Sequence, residues 1–174
     1  MLNDAVAEFY AVALLCKSYH WNVRGKGFKP IHVLLDEVYD ALVDMADDLA
    51  EYHAASGKVV DVTPAAISDS VSFFAARYVS VSETVDDVSG YLKDLLDRLK
   101  QIWEDSADPV LANMAQEMWQ RLNKQRWLVD SHKPLGSTSQ AKSAADGPPK
   151  ADLAAMIREM LSVPPFTTQQ KPQE

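Results

Sequence analysis

Five side chains in the first third of the chain have the types and spacing of a metal site: His20, His32, Asp36, Asp47 and Glu51. Imidazole nitrogens combined with carboxylate oxygens suit Fe(II), Zn(II) or Mn(II), and a set without thiolate argues against a closed structural zinc centre. On a helix at about 100° per residue, with His32 taken as zero, Asp36 falls near ~40°, Asp47 near ~60° and Glu51 near ~100°. These four therefore share one side. Asp36 and Asp47 are nevertheless separated by roughly 16 Å of axial rise, whereas metal–ligand bonds are about 2 Å long. One copy of the helix cannot gather all four around one ion. The pairs 32/51 and 36/47 share the midpoint 41.5. Two copies crossing antiparallel near Ala41–Leu42 would set Asp36 against the second copy's Asp47, and His32 against its Glu51. A two-fold dimer makes that contact twice, because an isologous interface pairs i with j and j with i. His20 and His32 flank the turn Gly25-Lys26-Gly27, and an αα-hairpin brings such positions together.

The elements that must carry these groups are helical. Residues 2–22 read as helix 1, with Asn3 as candidate N-cap and a face of Val6, Phe9, Tyr10, Ala13, Leu14 and Lys17. Residues 23–29 connect it onward through Gly25 and Gly27. This stretch follows a helix rather than a strand and lacks the Walker lysine pattern, so it is not read as a phosphate loop. Helix 2 spans about 30–55, with Pro30 suited to a first helical position. Its stripe is Ile31, Leu34, Leu35, Val38, Leu42, Met45, Ala46 and Leu49. After Gly57 and Pro64, a short helix is expected over Ala65–Tyr78 with Thr63 as its cap. Helix 3 is expected from near Ser82 to Glu104, and helix 4 from Pro109 to about His132. The fold class is therefore all-α, a four-helix bundle over 1–132 with a short extra helix between helices 2 and 3. Beyond Lys133 the composition turns Ser/Gly/Pro-rich. Residues 133–174 read as a flexible C-terminal tail with a candidate short helix at 150–161.

The 174 residues carry a net charge of −8, which opposes non-specific attraction to nucleic acid and favours cations. The single cysteine, Cys16, excludes an intrachain disulfide and sits among apolar residues, where a buried inert thiol is expected. No basic, apolar leader and no long apolar run is present, so a cytoplasmic protein without a membrane span is expected.

The run Lys17-Ser-Tyr-His20-Trp21-Asn22-Val-Arg-Gly25, followed by Phe28, His32, Asp36, Asp40, Asp47 and Glu51, resembles the signature of the Dps mini-ferritins. The resemblance covers roughly 1–132 and implies a ferritin-like bundle. It implies that His20, His32, Asp36, Asp47 and Glu51 are ferroxidase ligands shared across a two-fold interface. It further implies a dodecamer shell, in which Fe(II) is oxidised by hydrogen peroxide or dioxygen and stored as Fe(III) mineral. Trp21 is then a candidate electron donor, although a packed aromatic is the simpler reading. Glu104, Asp105 and Asp108 are candidates to line a pore that admits iron. Asp40 and Asp44 flank the ligand stripe, Asp44 as a solvated acid. Other ferritin-like proteins place Glu-x-x-His motifs within each bundle, and this chain has none. The family is named for DNA binding, usually through a basic tail. Here helix 1 begins almost at Met1 and the segment 133–174 is nearly balanced in charge, so weak or absent DNA binding is expected. Two other functions compete with iron storage: a DNA-protecting structural protein with little ferroxidase activity, and a bundle whose metal only holds its dimer together.

Overall fold

Five helices and one short strand pair follow the chain in a computed structural model that describes residues 2–71 and 76–134. They are α1 (Leu2–Asn22), β1 (Val23–Arg24), α2 (Phe28–Ala55), α3 (Pro64–Ser70), β2 (Val79–Ser80), α4 (Val81–Asp105) and α5 (Pro109–Asp130). The four long helices pack chiefly as two pairs, α1 on α2 and α4 on α5. Between them lies one apolar core in which Phe9, Leu35, Leu42, Leu92, Leu99 and Leu122 are fully buried. Each such side chain contributes about 1.5–3 kcal/mol relative to exposure. The fold is an all-α four-helix bundle, with α3 as the short helix between bundle helices two and three. None of the helices described is long and apolar enough to cross a membrane.

The boundaries follow from local chemistry. Gly27 caps α2 with a left-handed φ of 87°, a conformation open to glycine at little cost. Because α2 starts at Phe28, Pro30 is its third residue and not its first. The position is still harmless, since first-turn amides have no intrahelical acceptor. Thr63 caps α3 as expected, its hydroxyl accepting from Ala66 N. This helix stops sooner than its apolar pattern suggests, because Val71 is extended with φ −144° and ψ 156°. Tyr78 therefore lies outside it, under the Arg24 guanidinium at 4.4 Å from the ring centroid. Residues 72–75 lie outside the described residues. Ser80 caps α4 by accepting from Glu83 N, an S-x-x-E capping signal. Asp108 does the same for α5 by accepting from Val110 N, and α5 ends at Asp130, two residues before His132.

Three further expectations are corrected. Asn3 does not cap α1. It lies inside that helix and ties down the following loop instead, donating to Asp61 O at 3.2 Å and accepting from Asp61 N at 2.7 Å. Leu14 is 49% exposed rather than core, because the buried arc of α1 is centred on Val6, Phe9, Ala13, Cys16 and Tyr19. A strand pair exists where no strand was expected. Val23–Arg24 runs parallel to Val79–Ser80, too short for any periodicity to reveal. Cys16 is fully buried as expected, and burial pushes its thiol up to about 12. The tail, including 150–161, lies outside the described residues apart from Lys133 and Pro134.

Two glycines should respond oppositely to alanine. Gly27→Ala forces a positive φ on a Cβ-bearing residue and should lower stability by about 1 kcal/mol. Gly90→Ala, inside α4 with open space around its Cα, should raise it by about 0.5–1 kcal/mol. Urea midpoints of the two variants and the parent provide the measurement.

Candidate metal centre

His20 ends the buried face of α1 and His32 lies in the first turns of α2, and the Gly25–Gly27 turn folds one onto the other. Their rings stack with centroids 3.6 Å apart, and Phe28 also stacks on His32 at 4.9 Å. The two histidines exchange hydrogen bonds. His20 Nδ1 donates to His32 O at 2.7 Å, and His32 Nδ1 donates to His20 O at 2.9 Å. A carbonyl oxygen only accepts, so each Nδ1 carries the proton. In the neutral form of each ring Nε2 would carry the lone pair, the arrangement that suits an imidazole to metal ligation. His20 is buried and His32 half-buried.

Asp36 joins them one turn further along α2. Its Oδ1 lies 3.3 Å from His20 Nδ1 and accepts a hydrogen bond from the Lys17 ammonium. That bond holds the Asp36 carboxyl below the usual carboxylate range, helped by the neighbouring His20, and it raises Lys17 in turn. A depressed carboxyl contributes its share of stability above the ordinary carboxylate range and loses it as pH falls through the folded value. The contribution is small, because this carboxylate is well exposed. Sequence reasoning placed Lys17 on an apolar face and missed this partnership. The signal was available, since Lys17 precedes His20 by one helical turn. The Lys17 ammonium also lies over the Tyr39 ring, its Nζ 4.7 Å from the centroid.

The remaining expected ligands are not gathered by the same chain. Asp47 and Glu51 are exposed on α2, three and four turns beyond Asp36. Among the described residues, no group of three or more His, Cys, Asp or Glu side chains is assembled to hold an ion. One chain thus presents His20, His32 and Asp36 together, and Asp47 and Glu51 apart. Asp40 and Asp44 are exposed too, Asp44 with Arg121 at 3.9 Å. Trp21 is not a packed aromatic within the chain. It is 64% exposed, with its ring edge-on to His20 at a centroid distance of 6.5 Å. Of the acids considered for a pore, Glu104 pairs with Lys100 at 3.7 Å and Asp105 is exposed. Asp108 is committed to capping α5 and to accepting from the Tyr52 hydroxyl. These contacts hold its carboxyl below the usual range, the Tyr52 hydrogen bond above all.

The ferritin family profile, for the ferritin-like domain, matches residues 1–161. A DNA protection during starvation protein of Helicobacter pylori is 27% identical over 139 residues, covering 74% of this chain and 90% of the relative. DNA protection during starvation protein 1 of Deinococcus radiodurans is also 27% identical, over 75% of this chain and 65% of its own length, so the chain spans just under two thirds of that relative. Among solved structures, Dps from Microbacterium arborescens in the high iron form superposes with a TM-score of 0.72 at 28% identity, covering 75% of this chain and 88% of the other.

Lys17 competes with any cation for Asp36. Lys17→Met should therefore tighten Co(II) binding about five-fold, equivalent to ~1 kcal/mol of removed repulsion at a partly exposed site. A titration followed by the cobalt ligand-field absorption measures it, and unchanged or weaker binding would contradict the competition.

Proposed function

The chain belongs to the ferritin-like domain family and, within it, to the Dps branch, and on that premise we propose that two copies of it build ferroxidase centres between them. His20, His32 and Asp36 of one copy face Asp47 and Glu51 of the second. The observation that carries this reading is the division of the ligand set within one chain. The His20 and His32 rings are stacked with each Nδ1 donating to the other's carbonyl and Asp36 Oδ1 3.3 Å from His20 Nδ1, while the acids needed to complete a centre lie exposed further along the same helix. Large apolar side chains exposed beside these groups, Leu14, Trp21 and Val33, supply a face for the second copy. That the Microbacterium relative was solved in a high iron form supports iron as the substrate.

Fe(II) is the substrate and Fe(III) the product. Hydrogen peroxide accepts two electrons, one from each of two Fe(II) ions, and leaves as water after taking up two protons; dioxygen is the other candidate acceptor. The imidazoles bind Fe(II) as neutral donors, and the carboxylates offset the charge gained on oxidation. Trp21, at the edge of the His20 ring, is placed to supply an electron when only one Fe(II) is present. The shell is proposed to be a dodecamer of two-fold dimers storing Fe(III) mineral. Glu104 and Asp105 would line its pores, with Asp108 held back by its capping duty. DNA binding is proposed to be weak, supported by the net charge of −8.

Mixing separate His20→Ala and Asp47→Ala chains tests the sharing. Each homodimer lacks a complete centre, whereas a mixed dimer keeps one intact centre and one doubly defective. Random mixing should restore about one quarter of the centres by two-fold symmetry, read as peroxide-driven oxidation of anaerobically loaded Fe(II). No recovery in dimers shown by mass to be mixed would refute the shared centre.

A further inference from the structure

A cation that takes Asp36 displaces the Lys17 ammonium, and that ammonium needs a new partner. It binds Asp36 Oδ1 and lies over the Tyr39 ring. Only 26% of the Lys17 side chain is exposed, so its charge is not simply handed back to water, and leaving a partly desolvated cation unpaired is costly. Asp40 stands where a replacement is needed. It follows Asp36 by four residues within α2, which places it one turn on and about 40° round the helix. Side chains at that spacing are neighbours, their Cβ atoms about 5–6 Å apart. Tyr39, already beneath the ammonium, directly precedes it. Asp40 is exposed, and none of the described residues gives its carboxylate a hydrogen bond. The hydrogen bond to Asp36 above all, with the charges of Asp36 and Asp40, holds the Lys17 ammonium above its ordinary value although desolvation opposes them. The field of Asp40 therefore already reaches the ammonium.

We propose that Asp40 is a positioning residue for the metal centre, receiving the Lys17 ammonium when a cation takes Asp36. The exchange needs only rotation about the outer bonds of a flexible lysine stem, and the Tyr39 face attracts the ammonium between the two carboxylates. The exchange also changes the charge balance around one bound ion. With Lys17 left in place, its ammonium and Fe(II) together match the carboxylates of Asp36 and of Asp47 and Glu51 from the second copy. With Lys17 paired to Asp40, those same three carboxylates match Fe(III). The move therefore favours the oxidised product over the substrate. The proposal rests on the ferroxidase reading for its cation at Asp36.

Crystals of the unmodified chain soaked in Co(II) test the exchange directly. Cobalt beside His20, His32 and Asp36 is expected, with Lys17 Nζ about 3 Å from an Asp40 carboxylate oxygen. Cobalt there with Lys17 still on Asp36, or turned into solvent, overturns the exchange and leaves the two-fold centre standing. Crystals with no cobalt at His20 or His32 overturn the centre and the exchange together. Affinity gives a second measurement. Asp40→Asn, on an exposed position, should weaken Co(II) binding about three-fold, the scale of a surface ion pair. The same substitution added to Lys17→Met should leave that variant's affinity unchanged, since no ammonium remains to be placed. An equal loss in both backgrounds marks a general pull of the Asp40 charge on cations and overturns the exchange, as does the absence of any loss in the parent.

Discussion

The reciprocal hydrogen bonds between His20 and His32 do three things at once. They close the α1–α2 hairpin, fix the tautomer of both rings, and occupy the His20 carbonyl. That carbonyl belongs to the last turn of α1 and has no helical partner of its own. A polar group the helix end would otherwise leave to water is thus satisfied by the ring it helps to orient. The parallel pairing of Val23–Arg24 with Val79–Ser80, and the stacking of Arg24 on Tyr78, hold the chain beyond His20 against the start of α4. The imidazoles are therefore positioned by backbone contacts on rigid elements, which is the preorganisation a metal centre needs.

Around this locked pair the electrostatics are unfinished. Asp36 is the carboxylate nearest the rings, and its partner is Lys17. A single chain therefore holds a satisfied ion pair where a complete centre would need a free acid, and an arriving cation must compete with an ammonium. The length of α2 imposes the other limit. Its exposed acids are carried away from the histidines by the rise of the helix. The proposed two-fold pairing would bring a second copy's identical acids to the histidines with no new sequence.

Periodicity made the long helices legible because a stripe repeated over twenty or more residues averages out local exceptions. It failed where short-range chemistry decides. Val71 ends α3 early, Ser80 starts α4 earlier than the apolar pattern does, and two-residue strands carry no pattern at all. Helical spacing put Leu14 on the apolar face and a packed aromatic was the simpler reading of Trp21, yet both are exposed. Their exposure is comprehensible only once the direction of the core is known.

Sequence alone showed that His32 and Asp36 lie one turn apart on one helix, that a hairpin turn separates His20 from His32, and that Asp47 and Glu51 lie three and four turns beyond Asp36. Helical rise and angle are set by the backbone and need no tertiary knowledge. Tertiary structure decided the partners: that each ring donates to the other's carbonyl, that Lys17 holds Asp36, that Asp108 is spent on a helix cap and a tyrosine, and that His53 is buried unpaired. Those contacts join side chains across helices. Their choice depends on crossing geometry and side-chain rotamers, which spacing along one chain does not encode.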